Sequence, residues 1–396
     1  MINKRMRALG EKRSVIREIF EYGKTRKAEI GEENVFDFSL GNPSVPAPAS
    51  VTEALLKLIR EKDAAALHGY TSAQGDLGTR TAIAEYLNKK YNAGARASDL
   101  YMTVGAAASL SATLSALAGE GEEVVAIAPF FPEYRVFTEQ TGASLAVVPV
   151  DEESFQISFE ALEKTLNERT AALIINSPNN PSGAVLSAET LTRLASLLKA
   201  KSEEYGLPIY LIADEPYREL VYGDIEVPYP TKFYDNTIVC YSFSKSLSLP
   251  GERIGYIFVP AAVEEHDAVY AAVCGAGRSL GYVCAPSLFQ YLIPEVLGET
   301  SDIAIYKENR DILYSALTSY GFRAVNPDGA FYLFLKSPEA DANAFCERAK
   351  KYELLLVPGD DFAAPGYVRI SYCVSTEQIR RSLPAFEALA KEYGLH

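Results

Sequence analysis

Residues 240–259 read CYSFSKSLSLPGERIGYIFV. An apolar run closes on Ser242, Ser244 and Lys245, and Arg253 returns just before the next apolar run. A lysine amine held there can condense with an aldehyde to form an imine, provided some of it is neutral. Neighbouring cations and loss of solvent lower its pKa toward that condition. Arg253 supplies such a cation and a fork for phosphate, and Ser242 adds a hydroxyl. The plain alternative is a surface lysine beside an ion-paired arginine. Ser242 to Lys245 also matches the S-x-x-K pattern of penicillin-binding enzymes, but the S-D-N and K-T-G companions do not occur. The serine of that class opens a helix, whereas Ser242 closes a strand-like run.

Further segments offer partners for a flat, phosphate-bearing ring. In LIADEPYREL (211–220), Asp214 ends a buried-looking run, where a lone carboxylate is costly. A pyridinium nitrogen would answer it, with Tyr217 donating to a phenolic oxygen on that ring; a helix N-cap is the competing use. INSPNNPSGAV (175–185) reads as a turn, and its Asn180 could reach the same oxygen. TVGAAASLS (103–111) puts Gly105, Ala106 and Ala107 where a helix opens, with small residues and free N–H groups suited to a phosphate or merely to packing. Phe131, in IAPFFPEY, could stack on a ring or serve the core. Arg369 lies inside the apolar run YVRISYC and needs an anion there, such as a substrate carboxylate. Neither a Walker loop nor a G-x-G-x-x-G follows any of these runs.

Something must carry these residues to one place. Residues 50–63 put Leu55, Leu58 and Ile59 on one helical face, and Asp76 is a cap for a helix carrying Ile83, Leu87 and Tyr91. From residue 100 onward, short apolar runs alternate with helical stretches: YMTV, EVVAIA, SLAVVPV, AALIIN, IYLIAD, TIVCYSF and IGYIFV. Continuous apolar character predicts strands covered on both faces, hence a mostly parallel α/β sheet. Ligands of such sheets gather at the carboxyl ends of the strands, just beyond which the segments from Gly105 to Arg253 lie. After about residue 285 the pattern predicts a long helix over 286–320, then a short β region and a closing helix. We therefore expect a large domain over 46–285 and a smaller α+β domain from 1–45 plus 286–396.

Composition narrows the function. At 396 residues the chain exceeds one core, and its net charge of −14 disfavours extended nucleic acid as a partner. Five cysteines without a C-x-x-C pair suit a reducing compartment and suggest no zinc site. With three histidines, His68, His266 and His396, chemistry built on clustered imidazoles is disfavoured, and a lysine-centred mechanism gains. No apolar run spans a membrane and no signal-peptide core is evident, so the cytoplasm is expected.

Taken jointly, SFSKSLSLPGERIGY, D-x-x-Y, N-N-P-x-G and V-R-I-S, with SLGNPSVPAP (39–48) and GYTSAQGDLGTR (69–80), resemble the class I/II, fold type I aminotransferases of the aspartate aminotransferase superfamily over nearly the whole chain. The resemblance implies pyridoxal 5′-phosphate as cofactor, held as a Schiff base on Lys245, which also shuttles a proton. It implies Asp214 at the pyridine nitrogen, Asn180 and Tyr217 at the ring hydroxyl, and Phe131 on the ring face. The Ala106 and Ala107 amides, Ser242 and Arg253 become the phosphate cradle, with Gly105 and Ser244 as further cofactor-binding residues. Tyr70 resembles a tyrosine that crosses a homodimer interface to the partner's phosphate. Gly41 and Asn42 cover the substrate, and Arg369 anchors its α-carboxylate. The implied fold is a seven-stranded sheet domain with a smaller domain from both chain ends. The implied reaction moves an amino group from an amino acid to a 2-oxo acid; a β-lyase or decarboxylase of the same fold is the alternative. Ala107 stands where one aspartate-specific branch has lysine, and Arg278 is the available candidate for a side-chain carboxylate, so neutral and aromatic donors stay open. A ligand-sensing regulator would carry a DNA-binding module, for which the N-terminal arm is too short.

Overall fold

The computed structural model describes residues 1–11 and 14–395; His396 lies outside them. Its centre is a seven-stranded sheet: β1 (Leu100–Thr103), β2 (Glu123–Ile127), β3 (Ser144–Val148), β4 (Thr170–Asn176), β5 (Tyr210–Asp214), β6 (Thr237–Ser242) and β7 (Gly255–Phe258). Their spatial order is β1-β7-β6-β5-β4-β2-β3. β6, β5, β4, β2 and β3 pair in parallel, and β7 runs antiparallel to both neighbours. The apolar runs in the sequence are these strands. They are continuous because apolar helices cover both faces: one layer packs around Leu173, Val239 and Phe258, the other around Val124, Ile212 and Ile257.

A separate core lies around Phe331, Leu333, Val368 and Phe386. It is built on a four-stranded antiparallel sheet, in which Tyr332–Lys336 pairs with Tyr367–Ser371. The N-terminal segment joins it through Phe36–Asp37, which pairs with Leu354–Leu355.

The helical stretch over 286–320 is two helices, Ser287–Val296 and Ile303–Ser319, the second capped by Asp302. The intervening Gly298, at φ +89°, ends the apolar periodicity. Leu292, Ile293 and Val296 of the first helix pack into the core of the large sheet, so this packing unit runs past residue 285. Helix Ala49–Glu61 buries Val51 and Ala54, leaves Leu55 and Leu58 partly covered and exposes Ile59, a face rotated from the expected one. Asp76 caps Leu77–Tyr91 by accepting from the Thr79 amide at 2.8 Å. Among the described residues, no helix is long and apolar enough to cross a membrane, and no group of metal-ligating side chains occurs.

Candidate active site

β1, β2, β4, β5 and β6 all end at one edge of the sheet, and antiparallel β7 starts there. Residues just past those ends therefore converge. A cleft of about 300 Å³ at this edge is lined by Ala106, Ala107, Phe131, Asn180, Asp214, Tyr217, Ser242, Ser244, Lys245 and Arg253, closed by Gly41, Tyr332 and Arg369 from the small-domain side. The structure thus brings together most of the residues that the sequence singles out. It leaves two aside. Asn42 is exposed and does not line the cleft, and Tyr70 is 90% exposed. Arg278 is also exposed, on the helix His266–Leu280, outside the lining.

Lys245 sits in the single helical turn Phe243–Ser246 that follows β6, with Ser242 as its cap. Its Nζ donates to the Gly41 carbonyl at 2.6 Å and lies 5.2 Å from the Phe331 ring. Burial pushes the amine down to about 8; Arg369 and Arg253 push the same way, against the opposing influence of the Cys373 thiol. A usable fraction is neutral near physiological pH.

Asp214 ends β5, and a turn follows it rather than a helix, so it caps nothing. Burial raises its carboxyl to about 7, partly offset by a hydrogen bond from Tyr134 to Oδ2 at 2.5 Å. Oδ1 is buried without a partner. A buried carboxylate oxygen with no donor is the fit that a protonated ring nitrogen requires.

The cradle for an anion is built from small residues. Gly105, at φ +91°, caps the helix Ala106–Leu117, and a Cβ there would meet the Arg253 guanidinium at 2.5 Å. The absence of a side chain lets Arg253 lie against the helix start. The Ser242 and Ser244 hydroxyls are 2.7 Å apart, and Arg253 Nη1 lies 3.4 Å from Ser244 Oγ. Helix amides, two hydroxyls and a guanidinium are a phosphate donor set.

On the opposite wall Arg369 is buried with no carboxylate partner among the described residues. It donates to Asn180 Oδ1 at 3.1 Å and to the Ser39 carbonyl at 2.6 Å, and its Nε is unpartnered. Burial lowers its pKa from the usual guanidinium value, a sign of a cation short of an anion. Asn180 does occupy a turn, with Gly183 at φ +73°.

Sequence reasoning missed several lining or supporting residues, four of which make contacts that matter here. Tyr134 reaches Asp214 across 80 positions of chain, and Tyr332 pairs with Tyr217 across 115. Asn176 donates to the Asp214 carbonyl at 2.8 Å and accepts from the Asn180 amide at 2.7 Å. Ile16, on the helix Val15–Ile30, closes one side. The one available signal was local: Asn176 ends a strand run, and Tyr134 follows Phe131 at helical spacing.

This cleft, at the strand ends of a seven-stranded sheet that carries a second domain, defines a fold type I transferase using pyridoxal phosphate. The family description "Aminotransferase class I and II" matches residues 33–386, and the chain belongs to that family, as a transaminase. A crystal structure of an amino transferase from Eubacterium rectale superposes with a TM-score of 0.98 at 58% identity, covering 99% of both chains. Thermus thermophilus aspartate aminotransferase with maleate gives 0.87 at 27% identity, covering 98% of this chain and 99% of that one. A probable aspartate/prephenate aminotransferase from Aquifex aeolicus is 32% identical over 90% of this chain and 92% of its own. A probable N-acetyl-LL-diaminopimelate aminotransferase from Bacillus subtilis is 30% identical, over 90% and 89%.

Proposed function

We propose that Lys245 carries the pyridoxal phosphate of this transaminase, and that the amino group of an L-amino acid passes to a 2-oxo acid in the cleft it shares with Asp214. One observation carries the reading: an amine pushed down to about 8 and a carboxyl with a bare buried oxygen line the same cleft of small-molecule size. When bound, the cofactor supplies an aldehyde carbon and a ring that takes up the electron pair released at the substrate α-carbon. Asp214 holds a proton on the ring nitrogen. Tyr217 and the side-chain amide of Asn180 would donate to the ring oxygen, and Phe131 would cover one face. The Ala106 and Ala107 amides, Ser242, Ser244 and Arg253 bind the phosphate. Arg369 clamps the α-carboxylate, and the Gly41 segment shuts water out. Lys245, once its amine is free, takes the α-proton and returns it.

A homodimer fits this reading. Leu56, Ile59, Tyr70 and Leu77, close in the sequence, are each exposed and available for burial against a second copy. Tyr70 would then reach the partner's phosphate. Five free cysteines accord with work in the cytoplasm. Among the described residues the cleft's cations are Lys245, Arg253 and Arg369, each with a task, which suits a donor with a neutral or aromatic side chain. A dicarboxylic donor would need a further cation, and the candidate Arg278 is exposed outside this cleft's lining.

The experiment is a visible spectrum of the protein with pyridoxal phosphate, then a donor panel with 2-oxoglutarate. We expect an absorption band that is absent from Lys245→Ala, and a new 2-oxo acid with matching glutamate. Ammonia with pyruvate would instead favour the β-lyase alternative, and a protein that stays colourless would sink both.

A further inference from the structure

Tyr332 is a second tyrosine of the cleft, beside Tyr217, that the chemistry above does not use. It begins the strand Tyr332–Lys336, lies opposite Ser371, and is 2% exposed. It touches the site in three ways. Its hydroxyl lies 2.8 Å from that of Tyr217. Its ring lies 4.8 Å from the Arg369 guanidinium, within cation–π range. A Cβ on Gly41 would overlap its hydroxyl, so it also sets how close that backbone, whose carbonyl accepts from Lys245, can come.

In a pair of neutral hydroxyls, one must donate and the other accept. Burial keeps both phenols protonated: Tyr332 is pushed up to about 12, and Tyr217 is likewise held well above the usual phenol value. If Tyr217 donated to Tyr332, its only proton would be spent and it could offer the cleft nothing but a lone pair. If Tyr332 donates, the Tyr217 proton is free to point into the cleft, polarised by the bond it receives. Only the second arrangement lets Tyr217 stabilise an anionic oxygen. No other side-chain hydrogen bond to the Tyr217 hydroxyl exists among the described residues.

We propose that Tyr332 is a positioning residue with two separable tasks: its hydroxyl aims the Tyr217 proton into the cleft, and its ring seats the Arg369 guanidinium. The proposal rests on the reading that Tyr217 faces the ring oxygen of the cofactor.

Tyr332→Phe and Tyr332→Leu separate the tasks. The first readout is the pH at which the visible band of the loaded enzyme changes without substrate. Weakening a hydrogen bond to the ring oxygen makes that oxygen hold the neighbouring proton more tightly, so this pH moves up. For Tyr332→Phe we expect a rise of about 0.5–1 unit, the worth of one buried hydrogen bond and smaller than that of Tyr217→Phe. The second readout is KM for the amino donor. We expect it within about threefold of wild type in Tyr332→Phe, which keeps the ring, and raised about tenfold in Tyr332→Leu, which loses the cation–π contact and the packing. A Tyr332→Phe titration identical to wild type, beside a shifted Tyr217→Phe, overturns the proposal and leaves the proposed function standing. If Tyr217→Phe is also unshifted, the assignment of Tyr217 fails and takes this proposal with it. Equal KM in the Leu and Phe variants refutes the seating of Arg369.

Discussion

Tyr134 donates its phenolic proton to Oδ2 of Asp214 at 2.5 Å, while Oδ1 of that carboxylate is buried with no partner. The bond favours the ionised carboxylate, against the burial that opposes it. Tyr134→Phe removes it and should raise the Asp214 pKa further. We expect the acid limb of the kcat profile to move to higher pH and cofactor affinity to fall about tenfold, the worth of one hydrogen bond to a charged group. Fluorescence titration with pyridoxal phosphate measures the second effect.

Asp214 also makes stability depend on pH. Its folded value, about 7, exceeds the unfolded value of 3.8, so between them the native state binds more protons than the unfolded one. Stability of the cofactor-free protein from this group is greatest below about 4 and is lost as pH rises through about 7. The full window is worth on the order of 4 kcal/mol. Thermal melts of Asp214→Asn should show a shallower decline from pH 4 to 8, and the cofactor should restore most of the loss in wild type.

Lys245 predicts a second pH effect. With its amine near 8, trapping of a simple aldehyde by borohydride on the cofactor-free protein should rise through a midpoint near pH 8. Arg369→Gln removes one cation that pushes the amine down, so the midpoint should move up. A midpoint above 10, read by mass of the labelled peptide, would contradict the burial of the amine.

Gly105→Ala tests the cradle. The residue is at φ +91° and its Cβ would displace Arg253. Backbone strain costs about 1–2 kcal/mol, and we expect a melting point lowered by a few degrees. Loss of the Arg253 position should weaken the phosphate-bearing cofactor at least tenfold, while free pyridoxal, which lacks the phosphate, should be affected much less. Equal losses for both ligands would argue against a phosphate site.

Arg369→Lys keeps the charge but loses the fork that now reaches Asn180 and Ser39. KM should rise by about 30- to 100-fold for every donor alike, because the α-carboxylate is common to all of them. Selective loss of one donor in a steady-state panel would place Arg369 at the side chain instead.

Much of this protein was legible in its chain. The seven sheet strands announce themselves as unbroken apolar runs, because burial on both faces forbids alternation. Lys245, Asp214 and Asn180 each stand at or just past the end of such a run, and a parallel sheet brings those ends to one edge. The break at Gly298 and the turned face of the helix Ala49–Glu61 were less legible, since both depend on what the helices pack against.

The chain by itself determined which residues stand at the mouth of the sheet, through periodicity and position alone. Only the tertiary structure decided their partners. That Tyr134 rather than solvent meets Asp214 follows from packing the helix Glu133–Thr141 on the large sheet, and that Tyr332 meets Tyr217 while Arg369 lacks a carboxylate among the described residues follows from packing the smaller sheet against the larger one. Hydrogen bonds and ion pairs act over a few ångströms, and no local spacing along the chain encodes which distant side chain will come within that range.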